Sequence, residues 1–494
     1  MDQAAIDALG NIPVPSQRHI INGQAVAASD GQEMEVLSPL NGRRLTTVAR
    51  GTKADMDAAV AAARAAFEDR RWAGQSPAGR KKILLKWADL IDTHALELAV
   101  LGVRDNGTEI GMALKAEPGS AAATIRYYAE AIDKDYGEIA PTQDGFLGLI
   151  HKEPVGVVGA IIPWNFPLMI GAWKLAPALA MGNSVVLKPA ETASLSLMRL
   201  VELAHEAGLP PGVLNAVTGE GPVVGEAMAL SMDVDVLVFT GSGGTGRRLL
   251  TYAAQSNLKR VYLELGGKSP NIVFADAPDL QEAAKVAAFG IFRNAGQVCV
   301  AGSRLLVEAS IHDDFVAEVA RVAEAMKVGN PLDISTAIGA VNSETQLRQN
   351  LQFVTTAVEE GGTIATGGGQ LLQETGGYFM APTIITDVAP KATLAQQEVF
   401  GPVLAVTSFK DEADAIGLAN DSIYGLAGGV WTANLSRAHR MIGAVRTGVI
   451  HVNTYGGPDV TVPLGGVGQS GNGHDKSLHA LEKYTNLKTA WIKL

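Results

Sequence analysis

Chemistry in this chain could begin at a single thiol. Cys299 is the one cysteine among 494 residues, and it follows the polar, glycine-containing run Phe292-Arg293-Asn294-Ala295-Gly296-Gln297-Val298. A lone buried cysteine is ordinarily inert packing. A reactive thiol needs access, and a backbone able to approach a ligand, which glycine permits. Asn165 lies between two prolines in Pro163-Trp164-Asn165-Phe166-Pro167. Prolines fix the backbone locally, and a carboxamide held that way could donate an N–H to an oxyanion or simply cap its own turn. Glu264 closes an apolar run at 261–263 and opens Glu264-Leu265-Gly266-Gly267-Lys268. A carboxylate beside apolar surface can have a raised pKa and act as a general base. An ion pair with Lys268 is the plainer alternative.

A second kind of signal is a phosphate loop. GSGGTG at 241–246 fits G-x-G-x-x-G, follows an apolar strand-like run at 234–240 and opens a helix-like stretch. In that context glycines let the backbone approach a pyrophosphate at a helix N-terminus, and an acid some twenty residues on binds ribose. Glu264 stands at about that interval, so one reading makes it a ribose ligand. A competing reading uses Lys188-Pro189-Ala190-Glu191, just past the strand-like run 184–187, as the ribose contact. Glu264 is then free for chemistry.

The elements that must position these groups alternate along the chain. Ala-rich helical stretches alternate with short Val/Ile/Leu runs, the rhythm of βαβ units around a mostly parallel sheet. Thr52 and Asp55 are spaced as a capping box for a helix over 52–72, and a second helical stretch covers 78–106. A buried strand is expected at 155–162, and Pro163 and Pro167 then bracket a turn. Helix at 172–181, strand at 184–187, helix at 195–207, strand at 234–240 and helix at 246–256 follow, and 271–275 starts the rhythm again. The Gly-rich tract 361–369 reads as a turn region. Segments 145–154 and 483–494 have strand character outside the main sheet and could pair between subunits.

Bulk properties narrow the classes. At about 150 residues per domain the length suggests roughly three domains. Hydrophobic residues are 47% of the chain and charged residues 18%, which fits a globular protein with a large core. Lys plus Arg is 40 and Asp plus Glu is 51, giving a formal net charge of −11. An acidic balance argues against nonspecific binding to nucleic acid or anionic membranes. One thiol can make neither an intrachain disulfide nor a cysteine-rich metal site, so a reduced, cytoplasmic setting is expected and no metal site. No secretory leader and no membrane-spanning run is evident.

Taken together, the motifs resemble those of the NAD(P)-dependent aldehyde dehydrogenase superfamily. PWNFP at 163, KPAE at 188, FTGS at 239, ELGGK at 264, FRNAGQVC at 292, EVFGPV at 398, YGLA at 424 and PLGGVGQSGNG at 463 occur in the family's order across nearly the whole chain. The resemblance implies an α/β fold with a Rossmann-like cofactor domain (1–135 and 153–262), an α/β catalytic domain (263–462) and a small β oligomerisation element with the C-terminal tail (136–152 and 463–494). It implies Cys299 as nucleophile, Asn165 with the Cys299 N–H as oxyanion hole and Glu264 as general base, in place of the ribose role. Lys188 and Glu191 would bind the adenosine ribose, Ser242 and Trp164 would adjoin the pyrophosphate, Gly221 the adenine, and Glu398 and Phe400 the nicotinamide ribose. Ile162, Phe239, Gly241 and Leu265 would complete the cofactor contacts. NAD is the implied cofactor, with NADP possible; Glu191 would repel a 2′-phosphate, although Lys188 nearby blunts that argument.

The same resemblance bears on substrate and assembly. Glu264 favours water as acyl acceptor over coenzyme A. Leu464 stands where Phe is usual, Val467 and Gly468 where a Tyr-Lys pair is common, and His474-Asp475 where Arg-Glu is common. Asp475 thereby takes a Glu position that helps relay protons with Lys174, and it is the shorter acid. The segments 271–284 and 470–489 are similar to bacterial enzymes acting on γ-glutamyl-γ-aminobutyraldehyde and related ω-amino aldehydes. Arg293 stands where succinic semialdehyde dehydrogenases carry an arginine for the substrate carboxylate, but Trp173 replaces the second arginine of that pair. Phe166, Ile170 and Trp173 would line an apolar tunnel open to aliphatic or aromatic aldehydes. A homodimer or homotetramer is implied. A catalytically silent NAD-binding scaffold is the alternative of another class, against which the joint presence of Cys299, Glu264 and Asn165 argues.

Overall fold

Two seven-stranded sheets organise the chain, and their strand orders decide where a site can form. The computed structural model describes residues 2–457 and 459–494. The first sheet runs, in space, Arg260–Glu264, Val236–Thr240, Val157–Ile161, Ser184–Lys188, Leu214–Ala216, His19–Ile21, Gln24–Val26. Its first five strands are parallel and the last two antiparallel. The parallel strands are built of β-branched and aliphatic residues and are almost wholly buried, as helices on both faces require. Chain order reverses between Val157–Ile161 and Val236–Thr240. At such a switch point the loops leaving two adjacent strands diverge and open a crevice at the carboxyl ends.

The second sheet runs Thr363–Thr366, Thr383–Thr386, Val403–Phe409, Arg304–Glu308, Pro270–Val273, Ala427–Trp431, Val449–Val452, parallel except at its first strand. A third, antiparallel sheet of three strands stands apart: Thr485–Lys493, Phe146–Pro154 and Glu138–Ala140. The segments 145–154 and 483–494 thus pair with each other inside one chain. One large apolar core joins side chains of both seven-stranded sheets.

The helix Lys53–Glu68 carries the expected capping box, with Thr52 and Asp55 each bonded to the other's backbone. The stretch 78–106 is two helices, Pro77–Thr93 and Ala95–Asn106, with His94 between them. The helix expected from 172 begins five residues earlier, as Pro167–Ala180, because Pro167 sits at the first helical position, where its missing N–H costs nothing. The tract 361–369 is not only turn: Thr363–Thr366 forms the edge strand of the second sheet. Among the described residues no helix is long and apolar enough to cross a membrane and no cluster of metal ligands occurs.

Candidate active site

The expected groups converge at the carboxyl ends of the first sheet. Asn165 lies on the loop between the strand Val157–Ile161 and the helix Pro167–Ala180, Lys188 ends its strand, and Glu264 ends Arg260–Glu264, paired with Thr240. Cys299 reaches them from the turn after the helix Leu280–Phe292.

That turn is unusual backbone. Asn294, Ala295 and Gly296 have φ of 49°, 50° and 74°, three successive left-handed residues. A Cβ at Gly296 would lie 2.1 Å from the Gly401 carbonyl oxygen, so glycine is required there on two counts. Buried amides hold the turn. The Asn294 Nδ2 donates to the Asn165 carbonyl at 3.1 Å, and its Oδ1 accepts from the Thr108 hydroxyl at 2.8 Å. The Gln297 Nε2 donates to the Asn294 carbonyl at 3.0 Å, and its Oε1 accepts from the Asn342 N–H at 2.8 Å. The Asn165 Nδ2 donates to the Gln297 carbonyl at 2.9 Å. An amide nitrogen carries two hydrogens, so a second Asn165 N–H is left for an oxyanion two residues along from that carbonyl.

The turn following Glu264 lies against Cys299. A Cβ on Gly267 would approach the Cys299 carbonyl oxygen to 2.9 Å. Glu398 sits on the same turn: its Oε1 accepts from the Gly267 N–H at 3.0 Å, and a Cβ at Gly266 would overlap its carboxylate. Cys299 retains partial solvent access. Burial pushes its thiol up to about 12, with the facing carboxylates of Glu398 and Glu264 adding to the effect. Burial likewise raises Glu398 to about 7, against the N–H of Gly267 and the charge of Lys268.

Glu264 is buried, and its Oε1 has no partner among the described residues. Desolvation raises its pKa well above the ordinary range, and Asp475 raises it further while Lys174 and Lys483 oppose. The segment 470–473 holds the strand end in place: the Leu265 N–H donates to the Ser470 carbonyl at 2.9 Å, and Asn472 and Gly473 both donate to Leu263. Residues 470–473 therefore lie against the strand end that carries Glu264. Lys174, on the buried helix Pro167–Ala180, donates to Asp475 at 2.5 Å. Asp475, although the shorter acid, makes the expected pair. Lys268 does not form the alternative ion pair with Glu264. Its Nζ is buried without a partner, and burial lowers it to about 7, with Glu398 as the facing acid.

The Gly-rich segment fits an anionic cofactor. Ser242 caps the helix Gly243–Gln255 through its hydroxyl, which accepts from the Thr245 N–H at 3.3 Å. Gly244 faces open space, and a Cβ at Gly241 would meet the Phe239 ring at 2.4 Å. Helix N-terminal N–H groups favour phosphate, and beside them the Thr240 Oγ1 is buried with no partner. Lys188 pairs with Glu191 at 3.1 Å, and Glu191 accepts from the Gly221 N–H. Ile162 is tied to this strand by its N–H to the Lys188 carbonyl at 3.0 Å. Leu265 packs under Gly246, and Trp164 meets Phe400 edge-to-face with centroids 5.2 Å apart.

On the far side, Phe166 and Trp173 are buried and Lys476 lies over the Trp173 ring at 5.8 Å. Ile170 is packed into the core, and Met169 beside it in the chain is half-buried. The Arg293 guanidinium lies 3.5 Å from where a Cβ on Gly456 would be, and its Nε is buried without a partner. Sequence reasoning missed Lys483, Asn294 and Gln297. Gln297 and Asn294 stand inside a quoted motif; nothing near Lys483 in the sequence marks it.

The aldehyde dehydrogenase family model matches residues 26–490. The NADP/NAD-dependent aldehyde dehydrogenase PuuC of Escherichia coli (strain K12) is 51% identical over 477 residues, 97% of this chain and 96% of that one. The structure of the γ-glutamyl-γ-aminobutyraldehyde dehydrogenase from Burkholderia cenocepacia J2315 aligns with a TM-score of 0.98 at 47% identity, covering 100% of both chains. The P. syringae AldA indole-3-acetaldehyde dehydrogenase, solved with NAD⁺ and IAA, gives 0.98 at 49% identity, again over 100% of both.

Proposed function

The chain belongs to the aldehyde dehydrogenase family, and from that premise we propose that it oxidises an aldehyde to its carboxylic acid through a thioester on Cys299, with NAD⁺ as cofactor. The thiolate of Cys299 adds to the aldehyde carbon, and the carbonyl oxygen becomes an oxyanion. The free N–H of Asn165 and the backbone N–H of Cys299 receive that charge; one such donor is worth about 3 kcal/mol. Lys188, Glu191 and the N-terminus of Gly243–Gln255 would hold a nicotinamide dinucleotide, which would take up the hydride that the tetrahedral adduct loses as it becomes the Cys299 thioester. Glu264 then takes a proton from water, the hydroxide adds to the thioester carbon, and the thiolate of Cys299 leaves. Lys174 and Asp475 stand behind Glu264 to pass the proton on.

The observation that carries this reading is the second Asn165 N–H, left over once Nδ2 has bonded to the Gln297 carbonyl at 2.9 Å, two residues before Cys299. The test is NADH formation with a panel of aldehydes, run with NAD⁺ and NADP⁺, on the wild-type chain and Cys299→Ala. Signal lost in the variant supports it. Equal signal in both chains removes the thioester route, and no signal in either leaves the silent scaffold.

For the substrate, ω-amino or carboxylate-bearing aliphatic aldehydes fit best. The similarity to the γ-glutamyl-γ-aminobutyraldehyde dehydrogenase from Burkholderia supports the amino-aldehyde chemistry, and the unpaired, buried Nε of Arg293 supports a carboxylate. Glu191 disfavours a 2′-phosphate, hence NAD⁺ over NADP⁺. The three-stranded sheet, with exposed Ile139, Leu487 and Trp491, is the surface on which a second copy would assemble. A cofactor unit, a catalytic unit and this assembly element are the divisions we infer, with 463–475 contributing to the site.

A further inference from the structure

Asp475 is fully buried and shared. Its Oδ2 accepts from Lys174 at 2.5 Å and its Oδ1 from Lys483 at 2.6 Å, and both lysines are themselves buried. One carboxylate between two ammonium groups is not neutral. Burying a net charge is costly unless a further partner balances it. Glu264 is the remaining acid of this cluster, with its Oε1 buried and unsatisfied. With Glu264 ionised, the four groups carry two charges of each sign; with Glu264 protonated, one positive charge is unbalanced.

We propose that Lys483 is a positioning residue for the hydrolytic half of the reaction: it holds Asp475 jointly with Lys174 and supplies the second positive charge that lets Glu264 ionise as the base. This rests on the function proposed above. The groups facing Glu264 are Asp475, Lys174 and Lys483, with the Cys299 thiol on the other side. Lys483 is faced by Asp475, Lys174 and Glu264. Tyr128 and Tyr484, both raised by burial, close the cluster together with Tyr262, and Lys476 approaches Asp475 from the next residue. No other acid balances the two lysines among these facing groups.

The test titrates Glu264 directly. In the full chain, the pH-dependent infrared C=O stretch that disappears in Glu264→Gln is followed in wild type, Lys483→Met, Lys483→Gln and Lys483→Arg, each checked for folding by thermal melt. Removing the positive charge should move the midpoint upward by about one pH unit, while Arg restores it. In turnover with NAD⁺, the first NADH burst should persist in Lys483→Gln while the steady-state rate near neutral pH falls about ten-fold and recovers at alkaline pH. An unshifted midpoint in folded Lys483→Met or Lys483→Gln overturns the proposal. So does burst loss equal to the steady-state loss, or failure of both neutral variants to fold while Lys483→Arg does. The infrared titration needs no turnover, so a wild-type chain inactive on aldehydes would sink the proposed function without touching this result.

Discussion

In the proposed mechanism Asn165 does two jobs with one nitrogen. Its bond to the Gln297 carbonyl fixes the amide so that the other hydrogen points to one place, and a fixed donor needs no reorganisation when charge appears. Asn165→Asp replaces that donor with an acceptor facing an acceptor. We expect kcat/KM to fall by about 10²–10³-fold with the fold retained, as read by steady-state NADH formation and circular dichroism. Arg293→Ala should lower kcat/KM for carboxylate-bearing aldehydes about ten-fold or more while leaving neutral aldehydes nearly unchanged; equal losses on both would remove its proposed role. Because Glu264 is raised well above the usual carboxylate range, the proposed base is the form present above that raised pKa, so deacylation, followed as steady-state NADH formation, should climb rather than fall as pH rises through it. At this scale the sequence named residues whose type alone suggests chemistry, such as Cys299 and Glu264. Lys483 and Gln297 were illegible because their meaning comes from partners far away: Lys483 matters through Lys174 and Asp475, and Gln297 through Asn165 and Asn342.

The left-handed turn 294–296 before Cys299 and the helix Pro167–Ala180 are the elements that set the geometry. Gly296→Ala must either clash with the Gly401 carbonyl or move the turn, and its φ of 74° is costly for alanine. It should destabilise the chain by about 1–3 kcal/mol in a denaturant melt and slow NADH formation by more than its loss of folded protein explains. Glu117, buried, accepts from the Met169 N–H at 2.8 Å at the start of that helix, and burial raises it to about 8. A folded-state pKa above the unfolded one gives stability that is present at low pH and lost as pH rises toward about 8. Glu117→Gln keeps an acceptor without the charge, so its Tm should come closest to wild type near pH 4.5, exceed it increasingly as pH rises toward about 8, and keep a constant lead above that; a Tm gap independent of pH would contradict this. Several elements were legible from periodicity and caps, the helix Lys53–Glu68 above all. His94 interrupts a continuous helical pattern without any proline or glycine to announce it, and Thr363–Thr366 hides among glycines because its stability comes from pairing with Thr383–Thr386.

Across the whole molecule, the alternating rhythm made a parallel α/β fold readable, but strand order was not. Which strands neighbour each other depends on long-range packing that no local window encodes, and the switch point between Val157–Ile161 and Val236–Thr240 appears only once the sheet is assembled. The third sheet leaves Leu487 and Trp491 exposed on its edge strand. Trp491→Asp should lower the mass seen by light scattering at a concentration where the wild type is oligomeric, since a charge cannot be buried there without a partner. That strand begins at Thr485, directly after Tyr484, whose carbonyl accepts from the Val155 N–H at 3.2 Å and the Asn183 Nδ2 at 3.0 Å. The tether is short: one residue before it sits an ammonium group of the catalytic interior. Under the assembly proposed above, a second copy docking on the outer strand would load a segment whose inner end is anchored one residue from Lys483, and removing residues 485–494 is expected to lower the steady-state rate of NADH formation more than the first-turnover burst.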